Sequence, residues 1–303
     1  MTHASRRAVG LALTSLTGLA AFLMVAMLAL ILLDVIANGA SHVTWTFLSQ
    51  PPSDGMMGGG IFPAIIGTAA LTLLMTLAVM PVGVLTAVYL HEYAPPNSRF
   101  ARWVRVAVVN LAGVPSIVFG LFGLGFFILF VGKGMDRMLG HEELYWAQPG
   151  ILWASLTLAV LTLPVVIVST EEALRAVPMD HRTASLALGA TQSQTLARVV
   201  LPGALPGILT GAVLAISRGA GEVAPILFTG AAYFLPDLPS RLNSQFMHLG
   251  YHTYVLATQS PDVEATRPLL YATVLVLLLL TFALNLVAVI IRTRTRRKAA
   301  GAH

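Results

Sequence analysis

Residues Thr273 to Val289, TVLVLLLLTFALNLVAV, carry no charged side chain and show no alternation of apolar with polar positions. A strand of a membrane barrel alternates from one residue to the next, so this run reads as a helix. Taken out to 269–291 it is long enough to cross a bilayer. A helix rises about 1.5 Å per residue, and the hydrocarbon layer is about 30 Å thick. Runs of the same kind lie near 9–34, 61–90, 106–131, 150–169 and 207–235. The expectation is an all-α, polytopic membrane protein with six transmembrane helices.

Composition agrees. The 303 residues are 56% hydrophobic and only 10% charged, where soluble domains carry about 25% charged residues. The net charge of +5 does not point to nucleic acid, because the charges sit in short clusters between the apolar runs. There is no cysteine, which excludes disulfides, thiol catalysis and cysteine metal sites. Arg6 and Arg7 before an apolar run resemble a secretion signal, but Ala8 to Leu33 is longer than the 7–15 residues of a signal core and reads as a retained first helix.

Lys and Arg collect on the cytoplasmic side of membrane proteins, which orients the spans. One set of flanks holds Arg6, Arg7, Arg99, Arg102, Arg105, Arg175, Arg182, Arg198, Arg292, Arg294, Arg296, Arg297 and Lys298; the other holds Lys133, Arg137, Arg241 and Arg267. Both termini are therefore expected in the cytoplasm. Residues 170–205 become a long cytoplasmic loop, and 292–303 a basic tail against anionic lipid. The glycine-rich stretch 55–60 lacks the Gly-Lys-Ser/Thr of a nucleotide-binding loop and reads as a flexible lead-in to the second span.

Arg218 and Glu222 are the Arg and Glu that fall deep inside a span, in Ser217-Arg218-Gly219-Ala220-Gly221-Glu222. Four residues apart on a helix, they share a face. Each charge alone at the bilayer centre costs about 2.5–3.5 kcal/mol on insertion scales, so pairing away from lipid is expected. Pro225 removes the hydrogen bond to the Gly221 carbonyl. Gly211, Ala215, Arg218, Glu222, Pro225 and Thr229 then form one small or polar stripe. Two readings stand: a salt bridge that locks helices, or the wall of an aqueous path. Intramembrane ionisable residues favour function, and an arginine fork suits an oxyanion. Ser217, Arg218, Glu222, Pro225 and Thr229 are the candidate pathway residues.

The loop reads as two short helices. Asp180 can cap the first and Gly189 can end it in a left-handed turn. Thr191 with Gln194 makes a capping box for the second, which Pro202 closes. The first helix exposes Ala184, Leu186, Ala187 and Leu188, either to a partner groove or to the bundle itself. Elsewhere His141-Glu142-Glu143-Leu144-Tyr145 lacks the second histidine of a zinc motif. His248 and His252 have no evident third ligand, so no metal is expected.

The stretch from Thr183 to Pro202 resembles the coupling loop of ABC importer permeases. Ala184, Gly189 and Val199-Val200-Leu201-Pro202 stand at the family's positions; Thr183 replaces its glutamate and Ser185 its second alanine. The chain is also similar, over nearly its whole length, to phosphate permease subunits of the PstA type. That likeness rests on Ala112 to Gly123, Thr170 to Pro178, Leu201 to Gly211 and Arg218 to Thr229, with Val223 and Val168 as departures. The resemblance implies the type I ABC importer permease fold, in one transmembrane domain spanning 1–303. It implies a non-catalytic half-transporter for phosphate, or alternatively for sulfate or molybdate. An ion-coupled secondary carrier fits the long loop less well. Partners would be a sister permease (PstC type), an ATPase dimer using ATP-Mg (PstB type) and a periplasmic phosphate-binding protein (PstS type) at the bacterial inner membrane. Glu171, Glu172, Asp180, Arg182, Ala184, Leu188, Gly189, Leu201 and Pro202 would serve ATPase coupling. No cofactor would be held by this chain.

Overall fold

The computed structural model describes residues 3–53, 58–260 and 262–300, with side chains between Gly10 and Thr295. Gly55 to Met57 of the glycine-rich lead-in, and the side chains of Arg6, Arg7 and Arg296 to Lys298, lie outside the described residues. Gly58–Gly59 (β2) pairs antiparallel with Pro52–Ser53 (β1) just before the second span.

Six helices among the described residues are long and apolar enough to cross a membrane: Gly10–His42, Phe62–Tyr93, Ser116–Leu139, Ile151–Arg175, Gln192–Gly221 and Val263–Thr295. Their order along the chain sets the architecture. Helix α1 (His3–Gly39) packs chiefly along α13 (Val263–Ala300), and the apolar surface of its described side chains is almost wholly open. The core lies where α3 (Phe62–Val88), α7 (Ile151–Arg175) and α10 (Leu201–Gly221) meet, around Leu71, Met75, Leu158, Val166 and Ala215. Small residues allow the close approach: a Cβ on Gly83 would overlap Val166, and one on Gly207 would overlap Ala173.

The third span differs from the expected 106–131. Arg99–Ala112 (α4) is a separate helix, capped by Ser98, whose Oγ accepts from the Ala101 N–H at 3.2 Å. The span proper begins at Ser116 (α5, Ser116–Phe122) and continues through a π-helical stretch, Gly123–Gly132, into α6 (Lys133–Leu139). Pro115 explains the break: its ring disfavours helical geometry at Val114, and Gly113 ends α4.

Helix α7 runs to Arg175, so Glu171 and Glu172 sit on its last turns and not in a loop. At the opposite end of the molecule, α12 (Leu249–Thr258) packs on α13 and α3. Thr68 accepts the Leu249 N–H at 2.9 Å there, and a Cβ on Gly67 would strike the Met247 carbonyl.

Candidate functional site

Helix α10 does not carry through to Pro225. It stops at Gly221, and Glu222 is extended (φ −78°, ψ 128°). The glycines at 219 and 221 weaken the last turn, and Pro225 disfavours a helical Ala224 while offering no N–H to the Gly221 carbonyl. Arg218 and Glu222 still meet, with Nε 3.5 Å from Oε1. They do so across the helix terminus and not along a continuous helical face. Their side chains are 40% and 21% exposed.

The expected stripe therefore breaks after Arg218. Pro225 is buried as the cap of a short turn, α11 (Ile226–Thr229). Thr229 is fully buried, its hydroxyl donating to the Pro225 carbonyl at 3.0 Å and its carbonyl accepting the Gly150 N–H at 2.9 Å. It packs against Thr157 and Gly123, where a Cβ would overlap both threonines. Pro225 and Thr229 thus shape the turn from within. Ser217 donates to Asn285 Oδ1 at 2.7 Å and so ties α10 to α13. Hydropathy does not single out Asn285, but a lone amide inside an uncharged apolar run is a readable sign of an interhelical hydrogen bond.

At the other end of α10 lies the loop. Pro178, not Asp180, holds the cap position of α8 (Met179–Ala187), because its φ of −57° and ψ of 138° already lead into the helix. Asp180 stands in the first turn, where the helix dipole favours an acid. Gly189 has φ +87° and turns the chain, as expected. The capping box is present: the Gln194 N–H reaches Thr191 Oγ1 at 3.2 Å and the Thr191 N–H reaches Gln194 Oε1 at 2.9 Å. Pro202 does not close this helix. The chain runs on from Gln192–Thr195 (α9) through a π-helical turn, Leu196–Val200, directly into α10. Widened hydrogen bonding just ahead of Pro202 accommodates a residue with no N–H to offer the Arg198 carbonyl.

No residue of α8 is buried; Met179 is 70% and Leu188 90% exposed. Ala184 and Gly189 are open as well, Leu201 half-buried and Pro202 exposed. A cleft of about 830 Å³ between α8 and the foot of α10 is lined by Pro178, Ala184, Leu188, Val199 and Pro202. Arg182 behaves differently. It turns inward, its Nη1 lying 2.6 and 2.8 Å from the Glu92 carboxylate oxygens and its Nη2 donating to the Leu174 carbonyl at 2.7 Å. Glu171 pairs with Arg105 of α4 at 3.1 Å. Glu172 is exposed beside a cleft of about 410 Å³ that Val168, Ser169 and Leu214 also line.

The sequence profile of the family described as binding-protein-dependent transport system inner membrane component matches residues 79–297. The chain belongs to that family. The permease is 33% identical over 265 residues to the probable ABC transporter permease protein YqgI of Bacillus subtilis (strain 168), covering 83% of this chain and 85% of the relative. It is 34% identical over 273 residues to the phosphate transport system permease protein PstA 1 of Mycobacterium tuberculosis (strain ATCC 25618 / H37Rv), covering 87% and 82%. A bacterial alginate ABC transporter, solved with an alginate pentasaccharide-bound periplasmic protein, shares the fold at TM-score 0.64 over 97% of this chain and 96% of that chain, at 16% identity. The MetNI methionine ABC transporter, in an inward-facing form, matches at TM-score 0.55 and 21% identity over 77% and 94%.

No cluster of three or more metal-ligating side chains occurs among the described residues. His141 stacks on Tyr145 with centroids 4.9 Å apart. His248 is fully buried at the start of α12, its Nδ1 accepting the Gly250 N–H at 3.1 Å, and burial pushes its pKa down to about 3. Burial likewise pushes His252 down to about 4.

Proposed function

We propose that the permease is one of two membrane subunits of an ATP-driven phosphate importer and that Arg218, steadied by Glu222, lines the translocation path. The observation that carries this reading is the state of Arg218. A guanidinium 40% exposed on the last turn of a membrane-spanning helix is unstable against lipid, so its open face must meet water or a partner. An arginine half-freed from its carboxylate offers phosphate oxygens a bidentate site that costs no new desolvation of a buried cation. Phosphate transport is named for several relatives, two of them 34% and 38% identical over 87% and 63% of this chain.

In this reading the end that carries α8 faces the cytoplasm, in keeping with the Lys and Arg bias, as do both termini, and the membrane is the bacterial inner membrane. The segment 170–205 receives the ATPase dimer, with Ala184, Leu188, Gly189 and Pro202 on the contacting surface. Residues 292–303 lie along anionic lipid. A sister permease covers the open flanks of α4 and α10, and a phosphate-binding protein docks at the far end. ATP-Mg is held and hydrolysed by the partner, not by this chain.

The test is reconstitution. The tagged permease is purified with its associated proteins into vesicles, and uptake of labelled phosphate is followed with ATP and without it, sulfate serving as competitor. ATP-dependent uptake that sulfate leaves untouched is expected. Uptake without ATP, or equal competition by sulfate, overturns the reading.

A further inference from the structure

Besides the contact of the Ser185 and Thr195 hydroxyls at 2.9 Å, the loop helix is fastened to the body of the permease at the end of the second span, on Glu92, a residue given no role so far. Glu92 lies in the π-helical turn Tyr89–Tyr93 that finishes the α3 rod. Arg182 of α8 grips both its carboxylate oxygens, at 2.6 and 2.8 Å, and the side chains are only 14% and 10% exposed. The same arginine donates to the Leu174 carbonyl on the last turns of α7. Gln192, where the next helix begins, donates its amide to the Glu92 backbone carbonyl at 3.0 Å. Both loop helices, α8 and α9, thus converge on one residue. No residue of α8 is buried, so this charge-assisted contact, with Nη1 between both carboxylate oxygens, is a principal hold on the bundle.

The middle of the rod reaches the candidate pathway. Met75 is fully buried in α3 and touches Gly219, the residue after Arg218, so closely that a Cβ there would overlap the Met75 sulfur. From Met75 to Glu92 the helix spans about 25 Å at about 1.5 Å per residue. A displacement of α8 that pulls on Glu92 therefore has a path through α3 to the last turn of α10, beside the chain's own continuation from α9 into α10.

On the reading given above, we infer that Glu92 is a positioning residue of the transport cycle: through Arg182 it transmits movement of the loop helix to α3, and α3 delivers it to the turn that holds Arg218. The contact sets how much of each ATP cycle reaches the pathway. It does not set whether ATP is hydrolysed or whether the complex assembles.

The test uses the full reconstituted complex and reads phosphate uptake, ATP hydrolysis and ATPase co-purification together. With wild-type uptake ATP-dependent, Glu92→Gln is expected to leave assembly and basal hydrolysis in place while lowering phosphate moved per ATP by about tenfold, within the usual range for coupling between sites. The reversed pair, Glu92→Arg with Arg182→Glu, should recover a substantial part of that ratio, and Arg182→Glu alone should not. An unchanged ratio in Glu92→Gln overturns the inference, as does a reversed pair no better than its single changes. Loss of ATPase co-purification in Glu92→Gln also overturns it, because the contact would then serve assembly. If the wild-type complex fails to take up phosphate with ATP, the importer reading falls instead.

Discussion

Met75 of α3 packs against Gly219 of α10, with no space between the thioether and the position a Cβ would take. The residue beside the candidate pathway arginine is therefore glycine for a packing reason. Because Met75 is fully buried, its side chain has little room to swing aside. Gly219→Val should cost about 1–3 kcal/mol, the usual range for overpacking a filled interior. Thermal unfolding in detergent checks this. A Met75→Ala background should remove most of the cost, and equal destabilisation in both backgrounds would show that the contact is not responsible.

For Arg218 the prediction separates pathway from scaffold. Arg218→Gln removes a charged hydrogen-bonding partner worth about 1.5–3 kcal/mol to an anion, or roughly 10- to 150-fold in uptake. Arg218→Lys keeps the charge but loses the planar fork, so it should fall between. The complex should still assemble, since the side chain is open and its partner among the described residues is the partly exposed Glu222. Parallel measurements of uptake and co-purification decide: a matching fall in assembly would make the pair a structural salt bridge.

The six spans were legible because apolar length is a local property, and the capping box and the turn at Gly189 were legible for the same reason. Where the reading slipped, the deciding contacts were not local. Residues 106–131 are apolar on both sides of Pro115, so hydropathy alone ran α4 into the third span. The stripe through Pro225 and Thr229 assumed an unbroken helix, although Gly219, Gly221 and Pro225 together argued for its end. Arg182 belongs to the expected coupling loop, and its inward turn could not be read locally because its partner, Glu92, lies 90 residues away. Nothing in the periodicity of the loop marks which of its charges turns inward.

Leu188 gives the docking surface a direct probe. At 90% exposure it touches almost nothing of its own chain, so Leu188→Asp should leave the unfolding temperature of the isolated permease unchanged. If an ATPase buries this leucine, the change removes about 1.5–3 kcal/mol of apolar contact and adds a charge to the interface. Recovery of the ATPase with the tagged chain should then drop by at least about tenfold. Undiminished recovery would move the docking surface elsewhere on the loop.

His248 and His252 supply a pH dependence whose sign follows from burial. Both have folded-state pKa values below the ordinary 6.5, about 3 and about 4, because the protonated ring would lose its hydration in the packed region around α12. The unfolded chain takes up these protons as pH falls below 6.5, while the folded chain does not. Stability should therefore be flat above about pH 7 and decline as pH falls from 6.5 toward 4, by up to about 1.4 kcal/mol per pH unit for each histidine. His248→Asn retains an acceptor for the Gly250 N–H, since asparagine also caps helices, and removes one titrating ring. Denaturant midpoints collected between pH 5 and 8 should show a shallower decline in that variant. Wild-type midpoints that do not change below pH 6.5, or an identical slope in His248→Asn, would show that these rings are not held neutral by the fold.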